Sequence, residues 1–260
     1  MLIELRTLKE LTLYIQEVKR AGQSIGFVPT MGFLHKGHMS LVDLSKEKTD
    51  ITISSIYVNP SQFNDPSDFD SYPRDEAKDI TLLHQHGCNA VFIPTKEEME
   101  SIVPKSVDLE DLDTVMEGKF RPNHFEGVVE VVYRLFSVVK PDYAFFGEKD
   151  FQQIMVVQKM VSQLNLPVQI VKAPIIRESN GLAMSSRNSR LTISGRLKAG
   201  FLFDVLKRYG HEKREDLEQL LIDHGFELEY LEVHQFGGEK RVFIAGLYEG
   251  VRLIDNLAFN

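Results

Sequence analysis

The amino-acid sequence predicts an α/β fold over residues 1–188 and a smaller α+β domain over residues 189–260. Two observations lead there. Up to about Asn188, short β-rich runs alternate with segments of helical periodicity, and the strand-like runs are apolar along most of their length. Such strands, separated by helices, indicate a parallel sheet covered on both faces. After Asn188 the rhythm changes to helices followed by consecutive strand-like segments. The first of these, "ELEYLEVH", has the period-two alternation of a half-buried antiparallel strand.

The elements follow in order. Leu8 to Arg20 reads as a helix stopped at Gly22, and "SIGFVPT" as a buried strand. A helix from about Gly37 to Lys48 precedes the strand "ITISSIYV". The next helix, near Asp75–His86, ends at Gly87 and leads into "AVFIP". "HFEGVVEVVYRLFSVV" is helical and "YAFFG" a strand; "FQQIMVVQKMVSQLN" is a helix and "VQIVKAPII" the last strand of the first domain. Helices at about Ser194–Tyr209 and Glu212–His224 then precede "ELEYLEVH", "RVFIAGLY" and "VRLIDNLAF". The first domain is therefore Rossmann-like, and in such sheets ligands bind beyond the carboxyl ends of the strands.

Composition excludes several classes of function. Hydrophobic residues make up 43% of the 260-residue chain and charged residues 26%, the mix of a globular protein. A net charge of -8 argues against a non-specific nucleic-acid binder, which carries a basic face. The lone Cys88 rules out an intrachain disulfide and a Cys-rich zinc site, and suits a cytoplasmic protein. No run approaches the roughly 18–20 apolar residues of a membrane span, so no membrane partner is expected. The first twenty residues have acidic groups and helical periodicity, unlike a signal peptide.

Four strand-to-helix corners gather polar chemistry. In "VPTMGFLHKGHMSLV", His35 and His38 stand where a helix begins near Gly37, with Gly32 nearby. Unpaired N–H groups, the positive end of a helix dipole and two imidazoles suit a phosphate. A solvated polar turn and a zinc site, from two histidines on one helical face, are the alternatives. "SIYVNPSQF" places Gln62 just past a strand, where an uncharged amide can orient a carboxylate or hydroxyl; a plain Asn59-Pro60 turn is the alternative. In "YAFFGEKDFQQIM", Gly147 ends a strand and Lys149 sits near a helix N-terminus. A cation is unfavourable there unless an anion binds; a solvated charge cluster is the competing account. Gln152 and Gln153 follow in the first turn. "GLAMSSRNSRL" combines Ser185, Ser186, Arg187 and Asn188, donors that can grip a polyphosphate or simply cap the next helix.

Taken together, the H-x-G-H corner and the later M-S-S-R loop resemble the paired signatures of the nucleotidylyltransferase superfamily. The ordered set "PTMGFLHKGH", "YVNPSQF", "RPNHFEGV", "FFGEKDFQQ" and "GLAMSSRN" closely resembles the pantoate–β-alanine ligase family, from about Val28 to Asn188 and more loosely through "YLEV" and "RLIDNLAF". The resemblance implies ATP-dependent condensation of pantoate and β-alanine to pantothenate through a pantoyl adenylate, releasing AMP and pyrophosphate. It implies catalytic roles for His38, His35, Lys149 and Arg187, with His38 as proton donor. ATP would be bound by Met31, Gly32, His35, His38, Gly147, Lys149, Asp150, Ile176, Met184, Ser185, Ser186 and Arg187. Gln62 and Gln153 would hold pantoate, with Asn59, Tyr72, Arg121 and His124 near the substrates. Magnesium is implied on the ATP phosphates rather than in a protein cage, and a homodimer is implied as the assembly. Two features depart from the family: Arg190 replaces an expected aromatic, and the C-terminal lid domain looks short.

Overall fold

The computed structural model describes residues 2–64 and 66–259. They fall into two compact units: residues up to Glu148 together with Gln152–Ala173, and Lys149–Phe151 together with the chain from Pro174 onward.

The first unit is a six-stranded parallel sheet with helices on both faces. Its elements are β1 (Ile3–Leu5), α1 (Leu8–Arg20), β2 (Ile25–Thr30), α2 (Lys36–Lys48), β3 (Ile51–Ile56), α3 (Pro66–Asp70), α4 (Glu76–Gln85) and β4 (Ala90–Phe92). They continue with α5 (Lys96–Glu100), α6 (Met116–Phe120), α7 (His124–Val139), β5 (Tyr143–Gly147), α8 (Phe151–Gln163) and β6 (Gln169–Ala173). The strand order is β1-β4-β3-β2-β5-β6. Alternate side chains feed two cores. Ile25, Phe27, Ile53, Phe92 and Phe146 pack against Leu11, Ile15, Val132 and Phe136 of α1 and α7. Val28, Val91 and Phe145 pack against Leu41, Val42 and Leu83 of α2 and α4. Burial on both faces explains why these strands are apolar throughout rather than alternating.

The order reverses between β2 and β5, and there the sheet opens. The ladder between them contains only Gly26↔Tyr143 and Phe27↔Ala144, whereas β2 pairs with β3 from Ile25 to Thr30. Pro29 makes sense on this basis. Ile25 O accepts from Asp142 N on the β5 side, so odd-numbered residues of β2 face β5. The amide hydrogen that Pro29 lacks would point where the β2–β5 ladder has already ended, so a proline is tolerated in a central strand. A crevice at the carboxyl ends of strands flanking such a reversal is where α/β sheets bind ligands.

The second unit contains α9 (Ile193–Lys198), α10 (Phe201–Arg208), α11 (Arg214–Asp223), β7 (Glu227–Phe236), β8 (Glu239–Tyr248) and β9 (Val251–Ala258). The strands form an antiparallel sheet in the order β7-β8-β9. Leu202, Val205, Leu217 and Leu221 pack on Leu231, Val242, Ile244 and Leu253.

Three sequence expectations need correction. β1 was not expected: three residues are too few to show a period, and pairing with β4 makes the strand. The helix expected over Ser194–Tyr209 is split into α9 and α10. Asn180 Nδ2 donates to the carbonyls of Arg196 and Leu197, at 2.8 and 2.9 Å, taking acceptors a continuous helix would use. The alternation of β7 slips at a bulge between Leu228 and Tyr230, so Tyr230 and Leu231 are both buried. Among the described residues no helix is long and apolar enough to cross a membrane.

Candidate active site

The H-x-G-H corner lies at the carboxyl end of β2. Gly32 and Phe33 both take positive φ, 78° and 49°. This turn aims two consecutive N–H groups the same way, and the buried carboxylate of Asp79 on α4 accepts both: Phe33 N at 2.7 Å and Leu34 N at 2.6 Å. A Cβ on residue 32 would stand 2.9 Å from Asp79 Oδ2, so the close approach requires glycine. Thr30 Oγ1 accepts from Gly32 N at 3.1 Å and donates to Ser55 O at 2.6 Å. Burial pushes the Asp79 carboxyl above its ordinary value, and the two N–H groups pull it partly back.

The histidines then cap α2 reciprocally. His35 Nδ1 accepts from Gly37 N at 3.1 Å, and His38 Nδ1 accepts from His35 N at 3.3 Å. The pattern is a capping box in which imidazoles replace the usual hydroxyl and carboxamide. The rings lie 4.0 Å apart, tilted by 34°. A nitrogen that accepts carries no proton, so each neutral ring holds its proton on Nε2. The corner thus has two imidazole donors of defined tautomer, next to the N-terminus of a 13-residue helix.

A second cluster forms at the carboxyl end of β3. Residues Pro60–Gln62 make a 3-10 turn laid on α7. Asn59 Nδ2 donates to Gly127 O at 3.1 Å and to Ser61 Oγ at 2.9 Å. A Cβ at Gly127 would meet Ser61 O at 2.4 Å, so glycine admits the turn. The Gln62 carbonyl faces His124 Nδ1 at 2.8 Å and accepts from Arg121 Nη2 at 3.2 Å. Arg121 Nη1 lies 3.0 Å from His124 Nε2 and 3.4 Å from Glu117 Oε2. The Gln62 amide rests against the Met31 sulfur, which joins this cluster to the first corner. Asn59, Gln62, Arg121, His124 and Met31 are therefore one constellation. Tyr72 is buried in an aromatic group, edge-on to Phe63 at 5.6 Å. Gly147 ends β5 across the strand reversal. Of the two glutamines on α8, Gln152 is buried and bonded to Glu117 N, Leu112 O and Val115 O, whereas Gln153 is half-buried.

In the second unit, Lys149 and Asp150 lie in a 3-10 turn, with Lys149 Nζ 3.1 Å from Asp150 Oδ1. Met184 N donates to Ile176 O at 2.9 Å, closing the turn that leads into the serines. Ser185 Oγ accepts from Arg187 N at 3.3 Å, so Ser185 caps the 3-10 turn Ser186–Arg190. Asn188 is an internal brace, donating to Glu178 Oε1 and Ala183 O.

A family model described as pantoate-beta-alanine ligase matches residues 4–258. The chain belongs to the pantoate–β-alanine ligase family. Members are ATP-dependent ligases of pantothenate biosynthesis, and this chain is such an enzyme. The ligase is 45% identical to the pantothenate synthetase of Christiangramia forsetii, over 95% of each chain. It superposes on a pantothenate synthetase from Thermus thermophilus with a TM-score of 0.90 and 36% identity, covering 98% of both chains. A Francisella tularensis pantoate-beta-alanine ligase, solved in complex with beta-gamma ATP and beta-alanine, gives 0.91 and 33% over 99% of this chain and 98% of that one. The ligase thus spans nearly the full length of these relatives.

Sequence reasoning missed Asp79 and Glu117, and it singled out Gln152 beside Gln153 without foreseeing that Gln152 turns inward to Glu117, Leu112 and Val115. Asp79 acts 45 and 46 residues from its partners, so no local spacing could reveal it.

Proposed function

We propose that this ligase condenses pantoate with β-alanine in two steps. The pantoate carboxylate attacks the α-phosphorus of ATP, forming pantoyl adenylate and releasing pyrophosphate. The β-alanine amine then attacks the acyl carbon, the bond to the AMP oxygen breaks, and the amine proton leaves to solvent or base. Adenylation is needed because a free carboxylate has too poor a leaving group to acylate an amine. One observation carries the proposal: in a chain of this family, two histidines cap α2 through Nδ1. Their Nε2 protons suit phosphoryl oxygens on which charge grows as pyrophosphate departs.

The remaining roles are proposed on the family's motifs. His38 serves as proton donor to the phosphates, and Lys149 and Arg187 neutralise them as fixed cations. Met31, Gly32, His35, Gly147, Asp150, Ile176, Met184, Ser185 and Ser186 complete the ATP set. Gln62 and Gln153 orient pantoate, with Asn59, Tyr72, Arg121 and His124 near the substrates. Residues 1–188 then form the nucleotide- and pantoate-binding domain and residues 189–260 a lid. Magnesium would neutralise and orient the phosphates. Among the described residues no group of three or more metal-ligating side chains forms a cage, and Asp150 already faces Lys149. That donor set fits an ion held chiefly by phosphate and water. We further propose a cytoplasmic homodimer; buried Cys88, its thiol pushed up to about 12 by desolvation, is compatible with a reducing compartment.

The deciding experiment is exchange of labelled pyrophosphate into ATP. It should require pantoate and magnesium but not β-alanine. Exchange that appears only with β-alanine present would refute the two-step scheme.

A further inference from the structure

Strand β9 breaks its own alternation at Asp255 and Asn256, which are 4% and 1% exposed although they point to opposite faces of the sheet. Two adjacent buried polar groups need partners on both faces, and both sets are present. On one face, Asp255 receives Arg177 in a fork: Nη1 to Oδ2 at 2.5 Å and Nη2 to Oδ1 at 2.9 Å. The guanidinium also donates to Gly181 O at 3.0 Å and stacks on Phe203, 3.7 Å from the ring centroid. Arg177 pairs with Ala183 across the turn, immediately before Met184. On the other face, Asn256 Nδ2 donates to the backbone carbonyl of Lys149 at 3.0 Å. Its Oδ1 accepts from Arg241 Nε at 2.8 Å, and the Arg241 guanidinium covers the Phe151 ring at 4.4 Å. That second bond fixes which way the amide points. Asp255 Oδ1 also accepts from Asn256 N at 2.8 Å, so the two residues are braced against each other.

We infer that Asp255 and Asn256 are positioning residues for adenylation: from adjacent places on one strand, they hold the Lys149 backbone and the turn that delivers Ser185–Arg187. The inference rests on the function proposed above, because it takes Lys149 and Arg187 as phosphate-binding groups. Neither Asp255 nor Asn256 needs to touch substrate. Their effect is that two segments far apart in sequence share one rigid reference. A generic core role would need only apolar side chains of similar size, whereas a forked ion pair and an oriented amide specify backbone position and direction.

The test is Asn256→Asp, which keeps the acceptor for Arg241 and replaces the donor to Lys149 with a second acceptor. Pyrophosphate exchange should slow by about tenfold or more, since displacements near 1 Å at a reacting centre cost up to about 10²-fold. Transfer from synthetic pantoyl adenylate to β-alanine should slow much less. Amide hydrogen exchange over residues 147–153 should rise, while the six-stranded sheet stays protected. Arg252→Gln on the same strand breaks the ion pair to Glu229 and should leave both rates unchanged. If Asn256→Asp fails to fold, Asn256→Ser removes the same donor without adding charge and is judged by the same criteria. Wild-type rates for both half-reactions in a folded variant would overturn the inference, as would equal slowing of the two. An absence of exchange in the wild-type enzyme would instead refute the functional proposal. Amide exchange over 147–153 would then decide by itself, unchanged protection refuting the dyad.

Discussion

Replacing Asp79 tests whether the H-x-G-H corner is held from outside its own segment. The carboxylate is 1% exposed and accepts from Phe33 N and Leu34 N at 2.7 and 2.6 Å. Asp79→Ala removes that acceptor from both donors. Leu34 is 5% exposed, so its N–H would be stranded away from water at a cost of roughly 1–3 kcal/mol. Phe33 is only half-buried, which places that loss near the lower end, about 1 kcal/mol. The sum is about 2–4 kcal/mol of folding stability, less the relief of no longer burying a charge. The left-handed conformations at Gly32 and Phe33 lose their anchor at the same time, so His35 and His38 should lose their fixed placement. Urea unfolding measures the first effect and ATP titration the second, and affinity for ATP should fall more than affinity for pantoate. A folded Asp79→Ala protein within about 0.5 kcal/mol of wild type, the scatter of neutral surface substitutions, would refute the reasoning if ATP affinity were also unchanged.

The pH dependence of the same site has a definite sign. Because burial raises the Asp79 carboxyl above 3.8, its stabilising contribution is full below that value and is lost as pH rises through the folded-state value. The deficit of Asp79→Asn, measured by urea unfolding, should therefore be larger near pH 4 than near pH 7; a deficit that grows towards neutrality would contradict this. Gly127→Ala drives a methyl into Ser61 O at 2.4 Å and should cost about 1–3 kcal/mol while weakening pantoate binding. Both effects are measurable by thermal unfolding and calorimetry. Gln62→Ala and Gln153→Ala should each weaken pantoate binding by about 1–3 kcal/mol, with little change for ATP; equal losses for both ligands would indicate misfolding instead. Lys149→Ala should slow adenylation by roughly 10²–10³-fold and largely spare transfer from preformed pantoyl adenylate. Single-turnover measurements started from ATP or from the adenylate separate the two, and equal slowing would assign Lys149 elsewhere.

What the sequence by itself determined is what local patterns carry. Apolar runs and helical periods located α7 and β5 residue for residue, because a buried strand or an amphipathic helix writes its period into a short window. The H-x-G-H and M-S-S-R motifs were equally legible, since each places its polar groups within a few residues at an element boundary. Tertiary structure decided what depends on distant partners. It selected Nδ1 of His35 and His38 as the capping acceptors, leaving the protons on Nε2. It supplied Asp79 as the anion for the N–H groups of Phe33 and Leu34, and Asn180 as the group that splits α9 from α10. It also turned Gln152 inward to Leu112, Val115 and Glu117, a placement that residue spacing alone could not distinguish from that of Gln153. The physical reason is common to all of these. A buried polar group must find its partner wherever the fold brings one within hydrogen-bonding distance, and that distance through space bears no relation to separation along the chain.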